Sequence, residues 1–280
     1  MDQKIKAIAI DLDGTWLRED CTISRDTFQT VQKAIDLGYV VIPTTGRSYR
    51  NARHVLEQYR GLRYFINANG TVCTDSSREE VVFSHAMPWK MAKEIYELTN
   101  GYSCFVEIYE GMDAYVDSRG IDFLYASGMP EEYCRQLLST NVVEQSLENY
   151  IKDPGRNINK FHIVCGSVED RNRLRAQIGQ VDMAYPISTF EQNIEVVLGH
   201  HSKADGLKQA CAVLGLEREN IMAIGDSNND YDMVAWAGLG VAMGNANARV
   251  KEAADFVSTS NQEDGVAYAI RECLGIAAGR

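Results

Sequence analysis

The sequence predicts an α/β protein in which a doubly wound, Rossmann-like parallel sheet carries an inserted α+β domain. Three observations lead there. Short apolar runs alternate with amphipathic helical stretches toward both ends of the chain. Each of those runs leads into polar or acidic residues, as strands of an open α/β sheet do at their ligand-binding edge. Between them the pattern changes to half-buried, alternating strands with a hairpin turn.

The elements follow in order. A run at 5–10 leads into Asp11 and Asp13. An amphipathic stretch at 27–37, closed by Gly38, precedes a second run at 39–42, which leads into Thr44, Thr45, Gly46 and Arg47. A third run at 64–66 ends in Asn67, Asn69 and Gly70. The middle region predicts strands at 104–109, 114–116 and 161–164, with Gly111 and Met112 turning the first two into a hairpin. Helices are expected after Pro88, Pro130 and Ser167. A helix over 203–214, stopped by Gly215, precedes a fourth core run at 221–224 that ends in Gly225, Asp226, Asn229 and Asp230. Runs at 239–243 and 256–257 complete the core. The expected division is a core of residues 1–84 and 189–280 around an insert of residues 85–188.

Composition narrows the function. The chain has 280 residues, 45% hydrophobic and 24% charged, an ordinary globular mixture that excludes disorder and coiled coil as the main state. A net charge of −11 repels phosphate backbones, so nucleic acid is not an expected partner. A small phosphorylated metabolite is not excluded, because a local site can oppose the global sign. Seven scattered cysteines without a CxxC pair fit reduced thiols and a cytoplasmic setting. No apolar run reaches membrane-spanning length, and Asp11 and Asp13 stand where a signal peptide needs apolar residues. A monomer or a small homo-oligomer is compatible with these features.

Four motifs carry the chemistry. In DLDGT, residues 11–15, two carboxylates two residues apart at a strand end repel each other unless a cation binds them. Magnesium suits such a site, since it takes one or two carboxylates plus phosphate oxygens. In TTGR, residues 44–47, a hydroxyl followed by glycine offers donors to an anion. Lys203 begins a helix, where the dipole disfavours a cation unless an anion opposes it. GDSNND, residues 225–230, adds two carboxylates and amides after a buried strand. Taken singly, each also reads as a turn, a helix cap or a solvated lysine. Together and in this order they supply a nucleophile, phosphate donors, a cation and metal ligands.

With these motifs, with INANGT at 66–71 and with the segment GDSNNDYDMVAWAGLGVAMGNANARVKEAADFVSTSNQEDGVA, the chain resembles the haloacid dehalogenase superfamily of phosphohydrolases. It is most similar to the Cof-type branch, subfamily IIB, whose α+β cap is inserted between the second and third motifs. The resemblance spans essentially the whole chain. It implies a magnesium-dependent phosphatase with a mobile cap over the active edge, acting on small metabolites. Sugar phosphates come first and compounds like pyridoxal phosphate or FMN next.

Residue by residue, the resemblance implies that Asp11 is the nucleophile, forming an aspartyl-phosphate. Asp13 is the general acid/base, and its carbonyl joins Asp11 and Asp226 on magnesium. Thr45 and Gly46 hold phosphoryl oxygens, and Lys203 neutralises the nucleophile and phosphate. Asn229 contacts phosphate. Asp230 serves the metal site or supports Lys203, and Arg47 faces substrate or braces its loop. Trp16 departs from the family's small aliphatic residue after DGT. A sugar phosphomutase shares this chemistry and stays open as an alternative. So does a catalytically silent phosphate-binding module, although the complete motif set argues against it. His200 and His201 read as loop residues rather than a metal site, and Arg156, Asn157 and Lys160 as an exposed basic turn.

Overall fold

The structure, a computed structural model, describes residues 4–128 and 131–276. The chain divides into two units: Met1–Arg47, Val55–Val82 and Ser202–Arg280 form the first, and Ser48–His54 with Phe83–His201 the second.

The first unit is built on a five-stranded parallel sheet. Its order is Phe256–Val257, Leu239–Ala242, Ile221–Gly225, Ala7–Ile10 and Val40–Pro43. Ala7–Ile10 is an interior strand, between Ile221–Gly225 and Val40–Pro43, and every residue in it is buried. Its sequence, AIAI, has no polar alternation because a parallel strand is covered on both faces. The flanking helices are amphipathic. In Arg25–Asp36, Thr27, Thr30, Val31 and Ala34 are buried, and Ser24 caps the N-terminus by accepting from the Thr27 N–H. Lys203–Leu214 starts at Ser202 with a reciprocal capping box to Asp205 and ends at Gly215 in the left-handed conformation. The short helix Tyr231–Trp236 leads into the strand Leu239–Ala242.

The third apolar run differs from its expectation. Tyr64–Asn67 does not extend the parallel sheet. It begins a three-stranded sheet with Val72–Asp75 and Glu80–Ser84, and meets the Val40–Pro43 side only through a single bridge, Thr44 to Ile66. Past this strand, the turn Ala68–Gly70, where Ala68, Asn69 and Gly70 all take positive φ, sends the chain straight back into the antiparallel Val72–Asp75 strand.

The second unit has a six-stranded sheet ordered Ala184–Ile187, Asn193–Leu198, Ile158–Cys165, Cys104–Glu110, Asp113–Asp117 and Val142–Glu144. All neighbours are antiparallel except the last pair. The hairpin turn at Gly111 and Met112 lies where the sequence predicts it. Ile95, Phe161, Ile163, Ile194 and Val196 centre one apolar cluster, and Phe105, Val116, Leu124 and Val164 another.

Two expectations shift here. Residues 193–198, expected in the core, form a strand paired to Ile158–Cys165, so the second unit continues to His201. Its polar residues obscure it in sequence, because Asn193 and Glu195 are buried by pairing rather than by being apolar. Glu195 takes the Nζ of Lys160 at 3.0 Å, which makes Lys160 a buried strand residue rather than part of an exposed turn. Among the described residues, no helix is long and apolar enough to cross a membrane.

Candidate active site

The site lies at the carboxyl ends of the central strands of the first unit. Asp11 is the first residue past Ala7–Ile10 and is only 3% exposed. Its N–H donates to the Ile224 carbonyl at 3.1 Å, which fixes the loop to the neighbouring strand. Lys203, at the start of its helix and 1% exposed, donates from Nζ to Asp11 Oδ1 at 2.6 Å and to Asp230 Oδ1 at 2.7 Å. These two carboxylates are the anions that the unfavourable helix position demands.

The Gly225–Asp230 loop supplies the rest. The second oxygen of Asp230 accepts from the backbone N–H groups of Asp226 at 3.1 Å and Ser227 at 3.0 Å. Both oxygens of Asp230 are therefore occupied by donors, and its geometry is that of a support for Lys203 and for the loop. Asp226 accepts from the Thr15 hydroxyl at 3.0 Å. Asn229 stays within its own loop, where its Oδ1 accepts from the Ser227 hydroxyl.

Close packing at two glycines makes this arrangement possible. Gly14 has a φ of 80°, and a Cβ there would lie 2.6 Å from Asp226 Oδ2. Gly70 has a φ of 94°, and a Cβ there would lie 2.1 Å from the Ser202 carbonyl oxygen. The INANGT turn thus packs backbone to backbone against the first turn of the helix that carries Lys203. That contact gives the INANGT motif a physical reason.

The Thr44–Arg47 loop is held by the same turn. The Thr45 N–H donates to Ile66 and its carbonyl accepts from Asn69, while the Arg47 carbonyl accepts from Ala68. The Thr45 hydroxyl accepts from the Arg47 N–H at 3.1 Å. The Arg47 side chain reaches Asp13, with Nε 2.8 Å from Oδ2 and Nη2 2.5 Å from Oδ1. Asp13, unlike Asp11, is exposed.

Electrostatics single out the carboxylates. Burial, then the charges of Asp230, Asp226 and Asp13, hold the Asp11 carboxyl well above the usual range, with Lys203 opposing. Burial, then Asp230, pushes Asp226 up to about 6. For Lys203, burial disfavours the ammonium, but Asp11 and Asp230 outweigh it and raise its pKa. Among the described residues, Asp11, Asp226 and Asp230 form the one cluster able to hold a metal ion, with ligand atoms within 4.8 Å of one another. This donor set, all carboxylate and crowded with negative charge, fits a hard cation such as magnesium. Of the three, Asp230 has both oxygens engaged by donors, while Asp11 and Asp226 each accept from one side chain.

Several contributors were not singled out from sequence. Thr15 binds Asp226, Ser227 orders its loop, and Asn245 donates from Nδ2 to the Gly14 carbonyl at 2.8 Å. The GNAN run around Asn245 was the available signal. Trp16 lies in the unit's interior and donates from Nε1 to the Tyr59 hydroxyl at 3.0 Å. His201 contacts the Leu198 carbonyl and packs against the His85 ring in a tilted arrangement.

Residues 8–270 match the profile of the haloacid dehalogenase-like hydrolases. The chain belongs to that family. Among its relatives, the 5-amino-6-(5-phospho-D-ribitylamino)uracil phosphatase YcsE of Bacillus subtilis is 30% identical over 270 residues, covering 96% of each chain. The phosphatase YitU of the same organism, named for the same substrate, is 28% identical and covers 99% of this chain and 100% of its own. A solved haloacid dehalogenase-like hydrolase from B. subtilis superposes with a TM-score of 0.80 at 26% identity, covering 95% of this chain and 99% of that one. Within this hydrolase family the chain is a phosphatase of the phosphoric monoester class, acting on phosphorylated substrates. The two-unit α/β architecture agrees with the sequence-based fold class and with the Cof-type resemblance.

Proposed function

We propose that the chain is a magnesium-dependent phosphatase that hydrolyses a small phosphorylated metabolite through an aspartyl-phosphate on Asp11. The observation that carries this reading is the buried Lys203 bridging Asp11 and Asp230 beside Asp226. Phosphoryl transfer is mostly positioning and charge stabilisation. Lys203 orients the Asp11 carboxylate and offsets its charge. Thr45 and Gly46 receive phosphoryl oxygens at the adjacent strand end. Asp13 gives a proton to the leaving oxygen and takes one from water in the second step. Asp11, Asp226 and the main-chain carbonyl of Asp13 would hold magnesium, which when bound would supply positive charge to screen the carboxylate from the phosphate.

Phosphorylated sugars and sugar-like chains are the leading substrate class. The named substrate of YcsE and YitU, a phosphoribityl chain on a heterocycle, supports that class and also the FMN-like one. The domain division supports a cap formed by the second unit, and the seven free cysteines support a cytoplasmic setting.

The test is phosphate release from a panel of sugar, nucleotide and cofactor monophosphates, with magnesium or EDTA, for wild type and Asp11→Asn. Release should need magnesium and vanish in the variant. Release that survives Asp11→Asn would remove the nucleophile. No release from any compound would favour the phosphomutase or the silent binding module.

A further inference from the structure

Asp13 and Asp11 are held in different ways. Asp11 is buried and anchored by a buried ammonium. The Asp13 side chain is 54% exposed, and its partner Arg47 is only 11% exposed. An exposed aspartate on a glycine-flanked loop samples several staggered rotamers. Here one guanidinium bonds both of its oxygens, a planar fork that fixes both χ1 and the carboxylate plane. Arg47 is itself fixed at the backbone, since its N–H donates to Thr45 and its carbonyl accepts from Ala68. The arginine, tied at the backbone to the Thr45 and Ala68 positions, thus anchors the pair, and the more exposed aspartate takes its orientation from the fork.

We propose that Arg47 is the positioning residue for Asp13, aiming the carboxyl group that exchanges protons during turnover. This rests on the two-step phosphatase reading above. In the first step an Asp11 oxygen forms a bond to phosphorus. The bond to the leaving oxygen breaks, and that oxygen takes the proton of Asp13. In the second step a water oxygen bonds phosphorus, its proton passes to Asp13, and the Asp11–phosphorus bond breaks. The ionised, fork-bound Asp13 is the form that accepts the proton from water. When one oxygen carries the proton, the other keeps its bond to the guanidinium. Proton transfer needs heavy atoms about 2.6–3.2 Å apart, and a misplacement of about 1 Å costs on the order of a hundredfold.

The experiment compares wild type, Arg47→Gln, Arg47→Lys, Asp13→Asn and the double variant Asp13→Asn/Arg47→Gln, all as the full chain with magnesium. Single-turnover phosphorylation is followed with an alkyl phosphate and with p-nitrophenyl phosphate, whose leaving group departs without a proton. Arg47→Gln should lower the rate on the alkyl phosphate by about 30- to 100-fold, with KM changed less than about threefold. Its loss on p-nitrophenyl phosphate should be at least about tenfold smaller. Arg47→Lys should recover only part of the loss, because a point charge does not replace a fork. In the Asp13→Asn background, Arg47→Gln should cost no more than about twofold.

Equal losses on both substrates, a KM rise that accounts for the loss, or full additivity in the double variant would overturn the proposal. If Arg47→Gln does not fold, Arg47→Lys and its double variant carry the same comparisons. An Asp13→Asn enzyme that turns over alkyl phosphate as fast as wild type would sink the acid/base reading itself. A slow Asp13→Asn combined with an additive Arg47→Gln would sink only the positioning role.

Discussion

Replacing Lys203 with Met keeps the apolar stem and deletes one charge. Lys203 Nζ sits 2.6 Å and 2.7 Å from two carboxylate oxygens, in a cluster whose three carboxylates lie within 4.8 Å. At an effective dielectric of about 20, each of those contacts is worth roughly 6 kcal/mol of Coulomb attraction. Desolvation of the ammonium offsets much of it, and removing one partner of a buried pair costs about 3–5 kcal/mol net. The variant should therefore lose about 3–5 kcal/mol at pH 7 in EDTA, beyond losing turnover. The cost should shrink in acid. Asp11 and Asp226 already have raised folded pKa values, and without Lys203 they rise further. Such groups bind more protons folded than unfolded, so stability is present below the unfolded carboxylate range and is lost as pH climbs through the folded values. Urea denaturation followed by tryptophan fluorescence at pH 5 and pH 7, with wild type alongside, measures both effects. A loss below about 1 kcal/mol at pH 7, or a loss independent of pH, would refute the reasoning.

The same linkage applies to wild type. With its folded pKa up at about 6, Asp226 stabilises the metal-free protein below the unfolded carboxylate range, and that contribution is lost as pH rises through about 6. Magnesium takes the ionised form, so it should raise the thermal midpoint more at pH 7.5 than at pH 5. An equal rise at both would contradict the assignment. Gly70→Ala forces a Cβ to within 2.1 Å of the Ser202 carbonyl at a φ of 94°. We expect a loss of about 2–4 kcal/mol in a urea melt together with a lower kcat, because the strain falls on the turn that begins with Lys203. A variant with wild-type stability would show that the turn and helix do not need their close approach.

Much of this site was readable before any coordinates, for a physical reason. Each proposed group follows directly after a buried strand or opens a helix, so local pattern alone gathers Asp11, Thr45, Lys203 and Asp226 at one sheet edge. Features that depend on partners far away in sequence were not readable. Arg47 could equally face substrate or its own loop until Asp13, 34 residues away, was seen to take both arms of its fork. Asp230 could be a ligand or a support until its two oxygens were seen to be occupied. Lys160 and Glu195 look like surface residues because their burial depends on each other. The Tyr64–Asn67 strand ends in a turn whose left-handed Asn69 no hydrophobic pattern announces.

The charge balance of the site explains why its pieces belong together. Asp11, Asp13, Asp226 and Asp230 stand against Lys203 and Arg47, four carboxylates against two cations, for a formal charge of −2. Both cations are already bonded to carboxylates, so neither is free to attract a second anion at full strength. A phosphate dianion approaching such a set meets repulsion at close range, on a protein whose net charge of −11 does nothing to draw it in. Burial first, and the same excess of negative charge second, raise the pKa values of Asp11 and Asp226. A proton relieves it but removes the nucleophile, because a protonated Asp11 cannot attack phosphorus. A divalent cation relieves it while leaving the carboxylate ionised. That difference is the physical ground for the proposed magnesium dependence.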